Sequence, residues 1–593
     1  MRGLAAVLVF LFAFSTSAPA QTRVQFAAPG APDDLRNALR ASSLVLSAGE
    51  DATAQDLLAA ARAEYAQLLG VLYSEAYYGG VIQIQVDGRE AASIPPLSSP
   101  QQISLVRIEV RPGPVYRFEE AQIAPLASGT ELPDGFRSGS PAGTGVIREA
   151  ATASIDAWRA QGHAKADVSQ QSITAQHAAR QVSTRIGVDP GPRLSFGDVA
   201  VRGNEDVKTR RIRTIAGVTE GIAPGRVFDP EEIDKAANRL RRTGSFSSVT
   251  IVEAQDIGPN STLPLTINVV EATPRRFGVG AEYSTTDGIR VSGFWLHRNF
   301  LGGAERFRVD GAVSGIAGET GGIDYNLGVR YERPATPRAD VDLFSEIQLE
   351  ALDEPDFSSD SFEFQLGFTR YATDSLTVDF GLGYLFSETE DSFGNETFQL
   401  LTLPLAAELD RRNDSLDATD GYYVDLELTP FVGLKGTTNG ARAILDSRAY
   451  HSNAGLTFAG RLQLGALFGP DLAESPPFYR FFSGGGGSVR GQGYQSLALD
   501  VGGSRTGGRS FLGLSGEARR DMGESLQLVA FTDWGYVGAE SFPDFTGESH
   551  AGAGLGVRYK TGIGPIRLDL ATPVSGDTDS SSLYIYVGIG QAF

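Results

Sequence analysis

The stretch Phe481-Phe-Ser-Gly-Gly-Gly-Gly-Ser-Val-Arg-Gly-Gln-Gly-Tyr494 combines a glycine run with a single cation, Arg490. One chemistry open to such a text is a phosphate cradle. A cradle requires Lys-Ser/Thr after the last glycine, placed between a strand and a helix, and neither is present. Two readings remain. The segment is either a flexible, solvated loop or a loop folded back so that Arg490 and Gly491 dock on a wall of carboxylates. Candidate acids exist. In Phe511–Arg519, Leu512 and Leu514 share one face of an alternating run and Glu517 takes the other. In Leu526–Trp534, Leu526, Leu528 and Trp534 share one face and Asp533 takes the other. Two carboxylates on neighbouring strands can converge on one guanidinium, whose planar fork meets them bidentately and stays charged. Glu517 and Asp533 could equally be ordinary wetting of a polar interior, so both uses stay open.

Other reactive chemistry is poorly supplied. His163, His177, His297, His451 and His550 are scattered, and no H-E-x-x-H occurs. Gly513-Leu-Ser-Gly-Glu517 is not G-x-S-x-G. Cysteine is absent, which removes disulfides and thiolate metal sites and suits an oxidising compartment. The expectation is a protein that is not an enzyme, with no cofactor and no metal.

The elements that must position Arg490 are strands. With 71 Gly and 2 Met, the composition favours turns and strands over helices. From Arg276 onward the text breaks into about sixteen alternating runs, each taking roughly 20 residues with its turn, where a transmembrane strand needs about 9–11. In 551–560, Ala551, Ala553, Leu555, Val557 and Tyr559 face one way, while Arg558 and Lys560 face the other. In 565–571, Ile566, Leu568 and Leu570 oppose Arg567 and Asp569. One face suits lipid and the other a polar lumen, as in a closed antiparallel barrel. With both barrel ends on the same side, the connection 469–508 becomes an external loop. In the last run, Leu583, Ile585, Val587, Ile589 and Phe593 read as the lipid face. Gly588 and Gly590 lie on the other face and weaken the strand, so its pairing with the first strand becomes a strained seam. Phe593 also reads as a mark for the barrel's own assembly.

Residues 1–20 read as a secretory signal peptide: Arg2, an apolar run from Leu4 to Phe14, then Ser15-Thr-Ser-Ala-Pro-Ala20. That run is too short for a membrane helix, and no other segment approaches the required length of about 20 apolar residues. The formal charge of -21 argues against a nucleic-acid partner.

Before Pro274 the texture changes, and a motif repeats. Val110-Arg-Pro-Gly-Pro-Val-Tyr-Arg-Phe118 returns as Val188-Asp-Pro-Gly-Pro-Arg-Leu-Ser-Phe196 and, degenerate, as Val269-Val-Glu-Ala-Thr-Pro-Arg-Arg-Phe277. A spacing of roughly 80 residues implies an array of small domains joined at Pro-rich hinges. The boundaries read as 21–113, 114–191 and 192–273, with the barrel at 274–593. The third domain is clearest. It has a strand over 196–201, helices over 206–215 and 229–242, and strands over 247–253 and 263–270, in the order β-α-α-β-β. Asp229 reads as an N-cap and Gly244 as a C-cap. The first two domains are expected to follow the same order.

Val489-Arg490-Gly491 followed by an aromatic resembles the signature of the outer-membrane assembly superfamily. Arg298-Asn-Phe-Leu-Gly-Gly303, Phe531-x-Asp533-x-Gly535 and the run from Gly554 through Arg558, Thr561, Gly564, Arg567 and Asp569 to Ala571 resemble it too. Gln492-Gly493 before Tyr494 departs from the pattern, in which the aromatic follows the glycine directly. The resemblance implies periplasmic POTRA domains ahead of a 16-stranded barrel. It also implies pairing of Arg490 with Glu517 and Asp533, and a barrel that opens between first and last strands to admit clients. The central assembly factor of that superfamily typically has five POTRA domains and two-partner transporters two. Three domains resemble the translocation and assembly module branch, TamA-like, with a large inner-membrane-anchored TamB-like partner and autotransporter or other outer-membrane clients. The alternative implied functions are two-partner-type secretion and a passive outer-membrane channel.

Overall fold

A computed structural model describes residues 22–49, 52–95, 102–285, 287–318, 321–523, 525–562, 564–576, 582–591 and 593. The signal segment expected over 1–20 lies outside the described residues. The chain divides into two compact units. The first runs to Ser195 and takes in Val227–Glu231 and Pro259–Leu263; the second comprises Phe196–Arg226, Glu232–Gly258 and Pro264–Phe593.

The larger part of the second unit is a closed antiparallel barrel. Its strands are β1 (Arg275–Ser284), β2 (Gly288–His297), β3 (Arg306–Ile316), β4 (Asp324–Arg333), β5 (Val341–Glu354), β6 (Phe357–Tyr371) and β7 (Leu376–Asp391). Next come β8, in two pieces (Gly394–Thr402 and Leu405–Asp410), β9 (Gly421–Lys435), β10 (Gly440–Asn453) and β11 (Leu456–Phe468). The last are β12 (Ser510–Asp521), β13 (Leu526–Gly538), β14 (Glu548–Tyr559), β15 (Ile566–Ser575) and β16 (Tyr584–Ile589). Both pieces of β8 pair with β7 and β9, so they form one strand and the barrel has 16. The break falls at Leu403-Pro404, where proline brings no N–H to the ladder. Alternation sorts the two faces. Val279, Leu382 and Leu555 are exposed on the outer wall, at 93%, 69% and 67%. Charged pairs such as Arg330–Glu346 line the lumen. An apolar belt outside and ionic pairs inside are what a bilayer demands of a barrel.

Ahead of the barrel stand three small sheets with helices. The first orders its strands Arg23–Ala27, Leu105–Arg111, Val81–Val86 and Arg89–Glu90. Helices Asp33–Ala41 and Ala54–Ser74 pack on it through Leu35, Leu39, Leu58, Leu68 and Leu72. The second sheet, Arg117–Ala124, Gln181–Asp189 and Asp167–Gln176, departs from the expected order, because it carries one helix, Thr144–Ala160, rather than two. Pro125, Pro133 and Pro141 with Gly129, Gly135 and Gly139 break up the span that a first helix would need. The third sheet, Ser195–Arg202, Thr262–Glu271 and Phe246–Glu253, has both helices, Thr209–Ile215 and Pro230–Arg242. The first of these starts later than the sequence suggests. The Glu271 carboxylate accepts from the backbone N–H groups of Glu205 and Val207, both at 2.9 Å, and holds that segment as a turn.

The second unit also fixes the third domain's elements against the barrel turns. Lys208 Nζ donates to the Leu301 carbonyl at 2.9 Å in the β2–β3 turn. Arg239 grips Asp340 in the β4–β5 turn bidentately, at 2.9 and 2.7 Å. Arg242 reaches the same carboxylate at 3.7 Å while stacking on Tyr371. Burial of Asp340 works to raise its pKa, but the Arg239 hydrogen bond and the charges of Arg239 and Arg242 outweigh it and hold the carboxyl below its ordinary value. The β2–β3 and β4–β5 connections therefore lie on the side of these third-domain residues.

Candidate functional site

The connection between β11 and β12 folds into the barrel. Bridges Phe481↔Gly508 and Ser483↔Leu497 close its neck. Tyr479, Phe481, Leu497 and Leu499 pack with Leu385, Phe398, Phe431 and Phe511 from the wall. This buried apolar anchor removes the solvated-loop reading. Arg490 is 3% exposed.

At the tip, Arg490 meets three carboxylates. Its Nε and Nη2 donate to the two oxygens of Asp533 at 2.8 and 3.0 Å, and its backbone N–H donates to the same group at 3.1 Å. Nη1 donates to Glu517 at 2.7 Å and to Asp569 at 3.3 Å. The guanidinium lies over the Phe531 ring, 3.6 Å from its centroid. The acids are shared with two wall cations. Arg519 holds Glu517 at 2.8 Å, and Arg558 pairs with Asp569. Three guanidiniums thus face three carboxylates, all buried. Desolvating such charges is costly, and mutual compensation is what makes it tolerable.

Two neighbours explain the loop's shape. Gly491 has φ +87°, and a Cβ there would stand 2.6 Å from the Thr572 carbonyl, so only glycine lets the loop press on β15. Its N–H donates to Tyr586 Oη on β16 at 3.1 Å. Gln492, which stands where the superfamily pattern has its aromatic, is fully buried, and its Nε2 donates to the carbonyls of Ala551 and Ser575 at 2.6 and 2.7 Å. Tyr494 instead points away and donates to Glu354 at 3.0 Å.

Beside the lock lies the seam. Among the described residues, β1 pairs with β2 over ten residue pairs, but with β16 over two, Tyr283↔Val587 and Ser284↔Tyr586. A bond from Thr285 N–H to the Ile585 carbonyl at 3.2 Å extends this slightly. The reason is in β16 itself. The strand ends at Ile589, and Gly590 turns away with φ +103°. Gly588 stays in the strand, with the Arg567 guanidinium packed beside it. Phe593 corrects the sequence reading: it is not on the lipid face. It is 8% exposed and packs on Ala418, Tyr450 and Ala459, with the Arg519 guanidinium 5.6 Å from its ring centroid. The turn at Gly590 breaks the alternation from which the lipid face was extrapolated.

The family model described as "Omp85 superfamily domain" matches residues 299–593, and the POTRA model, a surface antigen variable number repeat, matches 194–272. The chain belongs to the Omp85 superfamily. It is an outer-membrane barrel with N-terminal POTRA structure in the periplasm. Among curated relatives it is 22% identical over 379 residues to the outer membrane protein assembly factor BamA of Nitratidesulfovibrio vulgaris, covering 60% of this chain and 46% of that protein. The chain therefore spans about half the length of this relative. Among solved structures it is similar in fold to BamA from Haemophilus ducreyi lacking POTRA domains 1–3. There the TM-score is 0.61 at 15% identity, covering 80% of this chain and 100% of that one. CdiB from Acinetobacter baumannii gives a TM-score of 0.52 at 12% identity, covering 80% and 90%.

The structure brings Arg490, Gly491, Glu517 and Asp533 together, and links Phe593 to them through Arg519, whose Nη2 donates to the Phe593 carbonyl at 3.3 Å. Sequence reasoning missed Asp569, Arg558, Arg519 and Phe531 as members of the network. Alternation does put Arg558 and Asp569 on inward faces. Nothing in it distinguishes them from the other inward polar residues of the wall.

Proposed function

We propose that the protein is an outer-membrane insertase or translocation subunit, TamA-like, that admits client β-strands at the seam between β1 and β16. The observation that carries this reading is the seam itself, two pairs among the described residues against ten on the other edge of β1. In lipid an unpaired backbone polar group costs several kcal/mol, so barrels normally leave no free edge. A strand edge left open in that setting is suited to receive another strand. The 469–508 loop folded into the lumen favours this over a passive channel, which needs an open aqueous path. Three N-terminal domains, each read as a POTRA, favour the translocation and assembly module branch over the central factor and over two-partner transporters. On that reading the clients are unfolded autotransporters and other outer-membrane proteins, and the partner is a large TamB-like protein anchored in the inner membrane.

Cross-linking the seam tests this. The chain has no cysteine of its own, so Tyr283→Cys with Val587→Cys places one pair at directly opposed positions. Oxidation is expected to stop client assembly and reduction to restore it. Normal assembly by the locked protein would overturn the seam reading.

A further inference from the structure

The β13–β14 connection joins an odd strand to an even one, so it lies at the opposite end of the barrel from the β2–β3 and β4–β5 turns and is external. It carries two bare aromatic rings. Phe542 and Phe545 are 63% and 68% exposed. Phe545 also has φ +60°, a backbone conformation that a bulky residue adopts only at a cost. The surroundings impose it. The Asp544 carboxylate accepts from the Thr546 N–H at 3.0 Å, from the Thr546 hydroxyl at 2.9 Å and from the Tyr536 hydroxyl at 2.8 Å. Tyr536 Oη in turn accepts from the Gly547 N–H at 3.1 Å. The Phe545 ring lies 5.5 Å from that of Tyr536, tilted by 44°.

Tyr536 shows which way the loop goes. On β13 it shares a face with Leu526, Leu528 and Trp534, the lipid side, whereas Val537 takes the lumenal side and packs with Phe481 and Phe511. An outward side chain on a membrane barrel is ordinarily bare, yet Tyr536 is 1% exposed. Its own loop covers it, so the connection folds back over the outer wall and not over the mouth. The outward run from Leu526 to Tyr536 has the length of a membrane crossing, about 9–11 residues. Tyr536 therefore stands at the outer boundary of the apolar belt, and the loop that covers it holds Phe542 and Phe545 there. The neighbouring acids are engaged within the protein. Asp544 is taken by Tyr536 and Thr546, and Glu540 faces Arg509 at 3.5 Å, whose Nε donates to the Ala539 carbonyl at 2.9 Å.

We propose that Phe542 and Phe545 form an interfacial anchor that inserts into the outer leaflet of the bilayer beside β13. The surface they extend is the lipid-facing wall itself, and membrane barrels place aromatic rings at this boundary. The strained backbone at Phe545 is the cost of presenting a ring outward from a loop that Tyr536 pins to the wall. The anchor goes beyond the insertase reading and does not depend on the seam. It sets the depth of β13, the strand that carries Asp533 of the lock.

The test uses the full-length protein in vesicles of dimyristoyl phosphatidylcholine. The chain has no cysteine, so Ser541→Cys gives a single site for an environment-sensitive nitrobenzoxadiazole label. Its emission is expected to be blue-shifted, and to lose intensity when a lipid bearing a nitroxide at a shallow acyl position is included. A label at Asp500→Cys, in the hairpin formed by Leu499–Val501 and Ser504–Thr506, should show water-like emission that the same lipid leaves unchanged. Adding Phe542→Ser with Phe545→Gly should return the label at 541 to water-like, unquenched emission. Glycine suits φ +60° better than phenylalanine does, so this variant keeps the loop's path. Heat-modifiable gel mobility shows that each protein is a folded barrel. Water-like emission at 541 with both rings present overturns the anchor. A blue shift without nitroxide quenching overturns it as well, since protein, a second copy or another chain, would then cover the rings. Quenching that persists in the ring-less variant also overturns it, because the loop would reach lipid without them.

Discussion

Arg490 has no spare partner to lose. Its guanidinium is the only loop cation among the buried acids Glu517, Asp533 and Asp569, and its removal leaves those three with two wall arginines. Breaking a buried charge pair from one side typically costs about 3–5 kcal/mol. Arg490→Ala and Glu517→Ala are each expected to lose stability of that order, read as a lower thermal midpoint in detergent. Unchanged melting in both would show that the network holds nothing. Arg490→Lys should recover only part, because an ammonium cannot span both Asp533 oxygens as the fork does. Gly552→Ala removes no charge, yet its Cβ would run into the Arg490 carbonyl. It should displace the loop all the same, exposing 481–494 to added protease; protection equal to wild type would mean that the loop tip is held elsewhere. At this scale the sequence was legible where it was odd. A lone cation in a glycine run stands out, and alternation points Glu517 and Asp533 inward. Asp569 and Arg558 were illegible as lock residues, because their role depends on how β12, β13 and β15 close around one point.

Among the elements, the barrel was the legible part. Its period of two persists over many runs, and burial confirms the faces it assigned to Leu568, Leu570 and Asp569. The second N-terminal domain was less legible. It was expected to follow its neighbours, but proline and glycine spacing overrode the analogy. The docking of Pro230–Arg242 on the β4–β5 turn could not be read at all, since Arg239 and Asp340 are 101 residues apart. That contact has a defined pH behaviour. Because Asp340 titrates below its ordinary value of 3.8 in the fold, its contribution is complete above that value and is lost as pH falls through the lowered one. The contact should therefore be insensitive between about pH 8 and pH 5 and fail only in stronger acid. A spin-label distance from Asn238 to Arg338 would follow it, and a change between neutral pH and pH 5 would contradict the assignment. Asp340→Asn should lengthen that distance at every pH.

For the whole molecule, the domain array and the barrel make separable predictions. Deleting 21–113 removes the first small domain while leaving β1 to β16 intact. The shortened protein should remain a heat-modifiable barrel, yet fail to copurify a large β-rich inner-membrane protein from native membranes. Copurification at the full-length level would move the partner's contact to the other domains. One bond has a wider consequence. The Gly491 N–H donates to Tyr586 on β16, so the docked loop and the seam strand share a contact. By thermodynamic linkage, whatever free energy the docked loop lends to a closed seam, a closed seam must return to the docked loop. A double-mutant cycle between Arg490→Ala and Tyr586→Phe measures that reciprocity. On the proposed reading it also implies that a strand engaging β1 can loosen the docked loop without touching it.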